Sequence, residues 1–330
     1  MTTLVTGGAG YIGSHMAWHL VDRGRDVVVV DDLSTGRDWL VPGHARLEQG
    51  DVGDRAFMEA VIRRHGVREI VHFAGSIVVP ESVSDPLGYY RNNTVASHAL
   101  ISAAVATGVE RFVFSSTAAV YGTPAQIPVG EDAPLAPESP YGWSKLMTER
   151  MLQDAHAAHG LRVGILRYFN VAGADAEGRA GQATPEATHL IKVAVQAATG
   201  QRDGVSIYGT DYSTPDGTGV RDYIHVSDLI DAHALALDHL EDHGLLVANC
   251  GYGRGFSVRE VLKAVSRVSG TELRITEAAR RAGDPSQIVA DNSRIRENLG
   301  WTPRRDDIDT IVSDALRWER HLAVRNDQTS

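Results

Sequence analysis

Tyr141 and Lys145 are the residues whose types and spacing first suggest chemistry. They stand four positions apart in the segment SPYGWSK, and residues i and i+4 lie on one face of a helix. Ser139 and Pro140 are typical of a helix N-cap and first turn. A tyrosine with the usual pKa of about 10 is a poor base, but a nearby cation lowers that pKa by about 1–3 units. The segment predicts a phenol tuned for proton transfer, although the same spacing also occurs by chance on surface helices.

Thr117, at the end of a predicted strand, is the third residue of interest. It closes the run FVFSST, and the carboxyl ends of parallel strands border the ligand crevice of a sheet. A threonine hydroxyl there can hydrogen-bond an oxygen that alternates between alcohol and ketone, or it can bond to its own backbone. The spacing leaves both interpretations open.

A glycine-rich turn, TLVTGGAGYIG, lies far upstream of these residues. Gly7, Gly10 and Gly13 follow a predicted strand and open a predicted helix, and Gly8 forms an overlapping triple. Glycine permits the tight turn and the close approach of backbone N–H groups to a pyrophosphate, and the helix N-terminus adds partial positive charge. The turn therefore predicts a dinucleotide site.

Acidic residues after the following strands favour NAD as the dinucleotide. Asp31 ends the predicted strand DVVVVDD, where a carboxylate accepts hydrogen bonds from the adenosine ribose and repels a 2′-phosphate. Asp32 adds a second negative charge, whereas Arg37 is an argument for NADP. Asp51, expected to end the third strand, is placed to face the adenine.

Short β-branched runs alternate with helical stretches through the first half of the chain. Helices are expected near residues 12–24, 54–65 and 92–108 and from 140 to about 159. The strands between them are apolar throughout, which indicates a parallel sheet covered on both faces. With right-handed crossovers, this pattern predicts an α/β, Rossmann-type doubly wound parallel sheet.

The amino-acid composition of the sequence changes after Asn170. Residues 171–187 and 209–220 are rich in turn-forming residues and predict loops. We therefore expect an NAD-binding domain over residues 1–170, to which about 222–248 return. The remaining residues, 171–221 and 249–330, are expected to form a smaller C-terminal substrate-binding lobe.

The composition argues against several classes of partner. The 330 residues carry a net charge of −10, and nucleic-acid-binding surfaces usually show a basic excess, so no nucleic acid is expected. The single cysteine, Cys250, fits a reducing compartment. No apolar run is long enough for a bilayer and no signal peptide is evident, so we expect no membrane and a cytoplasmic location. The pairs His15/His19 and His239/His243 lack an accompanying carboxylate pattern, and no metal is expected.

Beyond these signals, the chain resembles the extended short-chain dehydrogenase/reductase family, and within it the UDP-glucose 4-epimerase family. The resemblance runs from residue 3 to about 291, and its most specific segments are RYFN and GTGVRDYIHV. The other segments that carry it are TGGAGYIGSH, VVVDDLS, GDV, HFAG, ESVSDPLGYYRNN, FSSTAAVYG, SPYGWSKLMTE, LRYFNVAGA and RAGDP.

The resemblance implies a reaction, the interconversion of UDP-galactose and UDP-glucose. Tyr141 matches the general base that takes the proton from the sugar 4-hydroxyl while hydride leaves C4 for the nicotinamide. Lys145 matches the lysine that binds the nicotinamide ribose and lowers the tyrosine pKa, and Thr117 matches the Ser/Thr bonded to the 4-oxygen. The 4-ketose then rotates and takes the hydride back, so that NAD stays bound.

The resemblance also implies which residues contact each ligand. Those expected at NAD are Gly7, Gly10, Tyr11, Ile12, Gly13, Asp31, Asp32, Leu33, Asp51, Val52, Phe73, Ala74, Gly75, Asn92, Ser115, Tyr141, Lys145 and Tyr168. Those expected at the UDP-sugar are Thr117, Tyr141, Asn170, His189, Leu190, Tyr208, Arg221, Tyr223, Arg281 and Asp284. The family commonly forms homodimers, and the helices near 92–108 and 140–159 would be the candidates here.

Three positions depart from the family pattern. Ile77 stands where many members carry a lysine that contacts the cofactor, and His189 stands where some carry asparagine. Ile288 occupies a position that borders the sugar pocket. A bulky residue there is expected to disfavour N-acetylated sugars, and isoleucine is intermediate in size.

Related activities remain as alternatives. A nucleotide-sugar 4,6-dehydratase needs an acid and a base, placed as Asp-Glu directly after the Ser/Thr, but Ala118 and Ala119 stand there. Epimerases of UDP-N-acetylhexosamines, and epimerases or decarboxylases of UDP-uronates, are closer alternatives. A non-catalytic NAD sensor typically lacks the Tyr–Lys pair, which Tyr141 and Lys145 retain.

Overall fold

The computed structural model describes residues 1–184, 187–281 and 284–329, with side chains up to residue 325. The strands are β1 (Thr2–Thr6), β2 (Asp26–Asp31), β3 (Arg46–Gln49), β4 (Val67–His72), β5 (Arg111–Thr117), β6 (Arg162–Tyr168), β7 (Asn170–Ala172), β8 (Val205–Tyr208), β9 (Val220–His225), β10 (Leu245–Cys250), β11 (Gly255–Ser257), β12 (Ile275–Ala278) and β13 (Gln287–Ile288). The α-helices are α1 (Tyr11–Asp22), α2 (Arg55–His65), α3 (Val79–Ser84), α4 (Pro86–Tyr89), α5 (Ala96–Thr107), α6 (Pro140–His159), α7 (Leu190–Ala198), α8 (Val226–His239), α9 (Val258–Ser269), α10 (Ser293–Leu299) and α11 (Ile308–Thr329).

The main sheet has the strand order β10–β6–β5–β4–β1–β2–β3. Every pairing along this order is parallel. The order reverses at β1, because β2 lies on one side of it and β4 on the other. Ligands bind outside the carboxyl ends of the strands at such a reversal, and the predicted Rossmann-type doubly wound sheet is confirmed.

Helices cover both faces of this sheet, which explains why its strands are apolar throughout. On one face α1 and α8 contribute Met16 and Leu229 to the core, and on the other α2 and α5 contribute Met58 and Leu100. The four consecutive valines 27–30 of β2 are all buried, since alternate side chains point into opposite cores.

A second, smaller core lies after β6. Strand β9 pairs with β7, β11 and β13, and β8 pairs with β12. Their apolar side chains pack with α7, α9 and α11. Helix α9 starts with a reciprocal cap, in which the Ser257 hydroxyl accepts from the Glu260 N–H and the Glu260 carboxylate accepts from the Ser257 N–H. These elements position the strand that carries Arg221 and Tyr223.

Three sequence-based expectations differ from the structure in detail. Strand β3 ends at Gln49, so Asp51 lies beyond it; the Gly50 N–H instead donates to the Asp31 carbonyl oxygen at 3.1 Å. Residues 171 and 172, at the start of the segment expected to be a loop, belong to β7, because β9 supplies a pairing partner that the sequence pattern does not reveal. The helix expected from residue 92 begins as a π-helical turn over Tyr90–Val95. The predicted loop 171–187 also contains residues 185 and 186, which lie outside the described residues.

No helix within the described ranges is both long enough and apolar enough to cross a membrane.

Candidate active site

Helix α6 brings Tyr141 and Lys145 to the carboxyl end of β5. The helix begins at Pro140, and the Ser139 hydroxyl caps it by accepting from the Gly142 N–H at 3.2 Å. Both side chains are buried, and their four-residue spacing places them on the same face of the helix.

Lys145 is fixed by the sheet rather than by the tyrosine. Its Nζ donates to the Ser115 carbonyl oxygen at 3.1 Å and lies 4.9 Å from the centre of the Phe114 ring. Burial lowers the pKa of Lys145 to about 8, and the charge of Glu149 opposes that shift. At neutral pH the side chain is therefore still mostly an ammonium ion.

The environment of Tyr141 favours the protonated phenol. Burial raises its pKa, Tyr168 raises it further, and a hydrogen bond with Thr117 lowers it. The sequence predicted a pKa lowered by the neighbouring lysine. The groups of the protein alone do not produce that result, because the loss of water around the phenol outweighs them.

Thr117 makes the backbone bond that the sequence offered as one interpretation, and it also contacts Tyr141. Its Oγ1 accepts from the Ala119 N–H at 3.2 Å, and its hydroxyl also bonds to the Tyr141 phenol. The backbone bond fixes the threonine rotamer beside the phenol. Thr117, Tyr141 and Lys145 therefore form one cluster at the end of β5.

The glycine-rich turn is shaped as a cradle that side chains would fill. A Cβ atom on Gly7 would lie 2.7 Å from the Ala74 nitrogen, and one on Gly13 would lie 2.1 Å from the Gly7 carbonyl oxygen. Gly7 also has a φ of +67°, a conformation that glycine adopts readily. Gly10 is the N-cap of α1 and has no side chain to bond to the first-turn N–H groups, which leaves them available to an anion. The cradle therefore fits a dinucleotide pyrophosphate.

Asp31 is anchored to this cradle. Its carboxylate accepts from the Ala9 N–H and the Leu33 N–H, each at 2.9 Å, and Leu33 has a φ of +61°. Burial raises the pKa of Asp31, and the two backbone bonds oppose that shift. Asp32 and Asp51 are exposed and bond to the backbone of their own turns, at Ser34 and Gly53.

The other residues predicted at NAD occupy different positions relative to the cradle. Phe73, Ala74 and Gly75 directly follow β4, whereas the Val52 side chain is buried in the core. Tyr168 ends β6 and pairs in register with Thr117. Tyr11 and Ile12 open α1, and the Tyr11 hydroxyl donates to the Gly173 carbonyl oxygen at 2.7 Å.

The predicted Asn92 is exposed, and its Nδ2 donates to the Ser76 hydroxyl at 2.8 Å. Its neighbour Asn93, which the sequence analysis missed, is buried. The Asn93 side chain accepts from the Ser76 N–H at 2.8 Å and donates to the Ser144 hydroxyl at 3.0 Å. It thereby ties the turn after β4 to the helix that carries Tyr141.

His233 is a second residue that the sequence analysis missed. It lies on α8, is buried, and its Nε2 is 3.0 Å from the Ser115 hydroxyl. Its ring is also 5.0 Å from that of Phe73. No local motif marks it, because it reaches β5 from a helix more than a hundred residues later in the chain.

Four of the residues predicted at the UDP-sugar surround one cavity. Asn170, His189, Leu190 and Tyr223 line it, and Tyr11 of the cradle borders it as well. Asn170 in β7 pairs in register with Tyr223 in β9, and His189 is the N-cap of α7 without a capping side-chain bond. The cavity therefore lies in the second lobe and is bordered by Tyr11 at the start of α1.

The two predicted arginines lie on the second lobe with partners of their own. Arg221 forms an ion pair with Asp284 and donates to the Pro285 carbonyl oxygen at 2.7 Å. The Arg281 guanidinium lies 3.8 Å from the centre of the Tyr208 ring, which is 40% exposed. The intervening Ala282 and Gly283 of the RAGDP segment lie outside the described residues.

The departures from the family pattern occupy contrasting positions. Ile77 is 47% exposed. Ile288 is buried in an apolar cluster with Ala118, Tyr121 and Phe169, which begins directly after Thr117. This cluster therefore forms an apolar wall next to the Thr117–Tyr141 pair.

The histidine pairs noted in the sequence make local contacts. His15 Nδ1 is 2.7 Å from the Tyr11 carbonyl oxygen, and the His239 and His243 rings stack at 3.9 Å. Among the residues that the structure describes, no three or more His, Cys, Asp or Glu side chains are grouped to hold a metal ion.

Comparison with known proteins agrees with this geometry. The model of the NAD dependent epimerase/dehydratase family matches residues 3–251. The chain belongs to this family. The match covers the main sheet, the glycine cradle and the Thr117–Tyr141–Lys145 cluster.

Known UDP-glucose 4-epimerases resemble the chain over almost its whole length. The UDP-glucose 4-epimerase of Azospirillum brasilense is 60% identical over 320 residues, which cover 97% of this chain and 92% of the relative. The structure of UDP-glucose 4-epimerase from Brucella ovis in complex with NAD is 44% identical, with a TM-score of 0.93 over 96% of this chain and 97% of that chain. The enzyme from Bifidobacterium longum in complex with NAD+ and UDP is 38% identical, with a TM-score of 0.92 over 97% of this chain and 98% of that chain.

Proposed function

We propose that the protein interconverts UDP-galactose and UDP-glucose by epimerisation at C4 of the sugar, through a transient 4-keto sugar and with bound NAD. The observation that carries the proposal is the cluster of Thr117, Tyr141 and Lys145 at the strand end beside the glycine cradle. Identity of 60% to a UDP-glucose 4-epimerase supports the substrate.

NAD fits the residues present. The glycines leave space for a pyrophosphate at the start of α1, and the anchored Asp31 carboxylate suits the adenosine ribose and disfavours a 2′-phosphate. When bound, NAD would supply a reversible hydride acceptor for C4 and a positive ring whose charge would stabilise a nearby phenolate. The other predicted cofactor residues are proposed to line the same crevice.

Tyr141 is proposed to move the proton of the sugar 4-hydroxyl. Its phenolate accepts this proton and becomes the phenol as C4 is oxidised, and the Thr117 hydroxyl is hydrogen-bonded to the same reacting oxygen. The Lys145 ammonium, held on β5 by the Ser115 carbonyl, favours the phenolate electrostatically. After the 4-keto sugar has turned its other face, Tyr141 returns the proton to the 4-oxygen.

Side chains of the second lobe are proposed to hold the nucleotide while the sugar turns. The guanidinium groups of Arg221 and Arg281 match the geometry of a diphosphate, and the Tyr208 ring offers a face for the base. Asp284 is proposed to accept hydrogen bonds from the ribose. Asn170, His189, Leu190 and Tyr223 then line the path between the two ligands.

The residues after Thr117 argue against a dehydratase. Ala118 and Ala119 occupy the positions where that reaction needs an acid and a base, and methyl groups transfer no protons.

The proposal is tested by incubating the purified protein with UDP-hexose, UDP-N-acetylhexosamine, UDP-uronate and UDP-pentose and following epimerisation by NMR. We expect turnover of UDP-galactose and NAD that copurifies with the protein. Tyr141→Phe is the variant that tests the mechanism. Its kcat should fall by about 10²–10⁴-fold, because it lacks the proton acceptor, while NAD stays bound. Near-normal turnover in this variant, or a preparation that works only with added NADP, would contradict the proposal.

We further propose the two-lobe division given by the sequence, with residues 1–170 and about 222–248 holding NAD. It is supported by the return of β10 to the edge of the main sheet and by the packing of α8 against α1. A cytoplasmic location is also proposed, supported by the single cysteine, Cys250, which is buried.

A homodimer is proposed through the face formed by α4, the π-helical turn and α6. Leu87, Val95, Trp143 and Met147 are exposed there, and exposed apolar side chains on neighbouring elements fit a protein–protein contact. Light scattering after size exclusion should give twice the chain mass. The double variant Trp143→Glu/Met147→Glu should elute as a monomer, and an unchanged mass would contradict the dimer face.

A further inference from the structure

A buried carboxylate lies one helical turn beyond Lys145. Glu149 is 1% exposed and follows Lys145 by four residues on α6, so their Cβ atoms lie about 5–6 Å apart on one face. The two side chains reach consecutive residues of β5: Lys145 donates to the Ser115 carbonyl oxygen, and Glu149 accepts from the Ser116 hydroxyl. Tyr141, Lys145 and Glu149 therefore form a row along the helix.

Arg167 fixes the carboxylate from the neighbouring strand. Its Nη2 donates to Glu149 Oε2 at 2.6 Å, and its Nε donates to Oε1 at 3.0 Å. Arg167 is 3% exposed, and its Nη1 also donates to the Tyr121 hydroxyl at 3.0 Å. Both carboxylate oxygens therefore have fixed donors from the sheet, and β5 and β6 set the position of the negative charge relative to Lys145.

We propose that Glu149 is a positioning residue that keeps Lys145 charged and directed at the end of β5, with Arg167 and Ser116 holding Glu149 in place. This inference rests on the function proposed above, in which Lys145 acts as an ammonium ion beside Tyr141. A buried ammonium is penalised by the loss of water, and burial lowers the pKa of Lys145 to about 8, with Glu149 opposing the shift.

The other titratable groups around the pair do not replace this anion. His72 on β4 is neutral, because burial and the charge of Lys145 lower its pKa to about 3. Burial raises the pKa of Tyr121 to about 12, so it is a neutral phenol. Burial also raises the pKa values of Tyr89 and Tyr168. The Glu131 carboxylate is directed to the Asn249 N–H, from which it accepts at 2.7 Å.

The small number of lysines in the chain permits a direct measurement of the pKa of Lys145. The sequence contains three lysines, Lys145, Lys192 and Lys263, so protein with isotope-labelled lysine gives three side-chain signals by NMR. A pH titration of the NAD-loaded protein then reports the pKa of Lys145 without any assay of activity. The exposed Lys263 serves as an internal reference.

Two variants remove the carboxylate charge. In E149Q we expect the pKa of Lys145 to fall by about one pH unit. The alkaline limb of kcat should move to lower pH by a similar amount, since activity is lost as pH rises through the pKa of Lys145. E149Q removes the carboxylate that balances the charge of Arg167, which should lower the stability of the protein. The second variant is therefore E149Q/R167M, which removes both charges. In this double variant the pKa of Lys145 should also fall, but by less, because the nearby cation Arg167 is lost together with the carboxylate.

A second buried ion pair provides the matched control. Arg111 Nη2 on β5 lies 2.5 Å from Glu69 Oε1 on β4, at the opposite end of the same sheet. Both side chains are as buried as those of Glu149 and Arg167. E69Q/R111M should lower the melting temperature but leave the pKa of Lys145 unchanged. An unchanged pKa of Lys145 in whichever Glu149 variant folds, or an equal shift in E69Q/R111M, overturns the inference. If Lys145 shifts as expected but the wild-type protein epimerises no UDP-sugar, the proposed function fails and the positioning role stands.

Discussion

The cradle region and the proposed nucleotide-sugar region of this protein are built in opposite ways. The cradle consists of backbone from one continuous segment, and its key feature is the absence of Cβ atoms at Gly7 and Gly13. The proposed nucleotide-sugar region consists of side chains from β7, α7, β8 and β9 and from residues near 284, such as Arg221 and Asp284, which stand 63 positions apart.

This difference has a physical consequence. A backbone site is destroyed by adding a single carbon, whereas a side-chain site is weakened in steps as individual groups are removed. The two regions should therefore respond differently to substitution: changes in the cradle should reduce bound NAD, and changes in the second lobe should raise KM for the UDP-sugar while NAD stays bound.

Among changes that affect ligand binding, Gly13→Ala should give the largest effect. Its Cβ would overlap the Gly7 carbonyl oxygen, and overpacking of this kind costs about 1–3 kcal/mol, equivalent to about 5- to 150-fold. We expect NAD affinity to fall near the upper end of that range, measured as cofactor released on denaturation. Gly43→Ala is the control, because no atom lies within 4 Å of a Cβ there. Full NAD content in Gly13→Ala would show that the cradle tolerates a side chain.

Arg221→Met should have the next largest effect. It removes the proposed charge-assisted hydrogen bonds to the diphosphate, each worth about 1.5–3 kcal/mol, so KM should rise by about 10- to 100-fold with NAD retained. Arg259→Met is the control, because Arg259 forms an ion pair with Glu277 in the same lobe and is not proposed to touch substrate. Loss of bound NAD in Arg221→Met would contradict the expectation that the two regions respond independently to substitution.

Tyr208→Ala tests the proposed platform for the base. Stacking of a base on an aromatic ring contributes about 1–3 kcal/mol, so KM should rise by about tenfold. Tyr208→Phe keeps the ring and should leave KM unchanged, because the ring face rather than the hydroxyl is used. Equal KM values for the wild type, Tyr208→Ala and Tyr208→Phe would show that Tyr208 does not contact the base.

Asp31→Asn should have the smallest effect. It neutralises the charge that repels a 2′-phosphate, and two unit charges at 4 Å in water interact by about 1 kcal/mol. The ratio of NADP to NAD affinity should therefore rise by about fivefold. Asp32→Asn, at an exposed position, should change the ratio less. An unchanged ratio in Asp31→Asn would contradict the role of its charge.

The sequence predicted the local parts of this molecule well. The glycine turn, the alternation of strands and helices and the start of α6 depend on contacts within a few residues, and each has a recognisable pattern. The Tyr141–Lys145 spacing indicated a shared helix face because that geometry is set by the helix itself.

Non-local contacts were less accessible to sequence reasoning. Strand β7 forms because β9 pairs with it, and His233 reaches Ser115 from α8; neither contact leaves a local signal. The lowered pKa expected for Tyr141 also depended on the surroundings, since burial by distant segments outweighs the neighbouring lysine.

Sequence alone thus determined which residues can do chemistry: a phenol and an ammonium one turn apart, a threonine at a strand end and a glycine turn without side chains. Tertiary structure decided how those groups are tuned and combined. Strands β5 and β6 place Ser115, Ser116 and Arg167 around Lys145 and Glu149, and packing of the second lobe brings Arg221 to Asp284. The physical reason is that helix and turn geometry is set by neighbouring residues, whereas burial and charge pairing depend on segments that meet only in the folded chain.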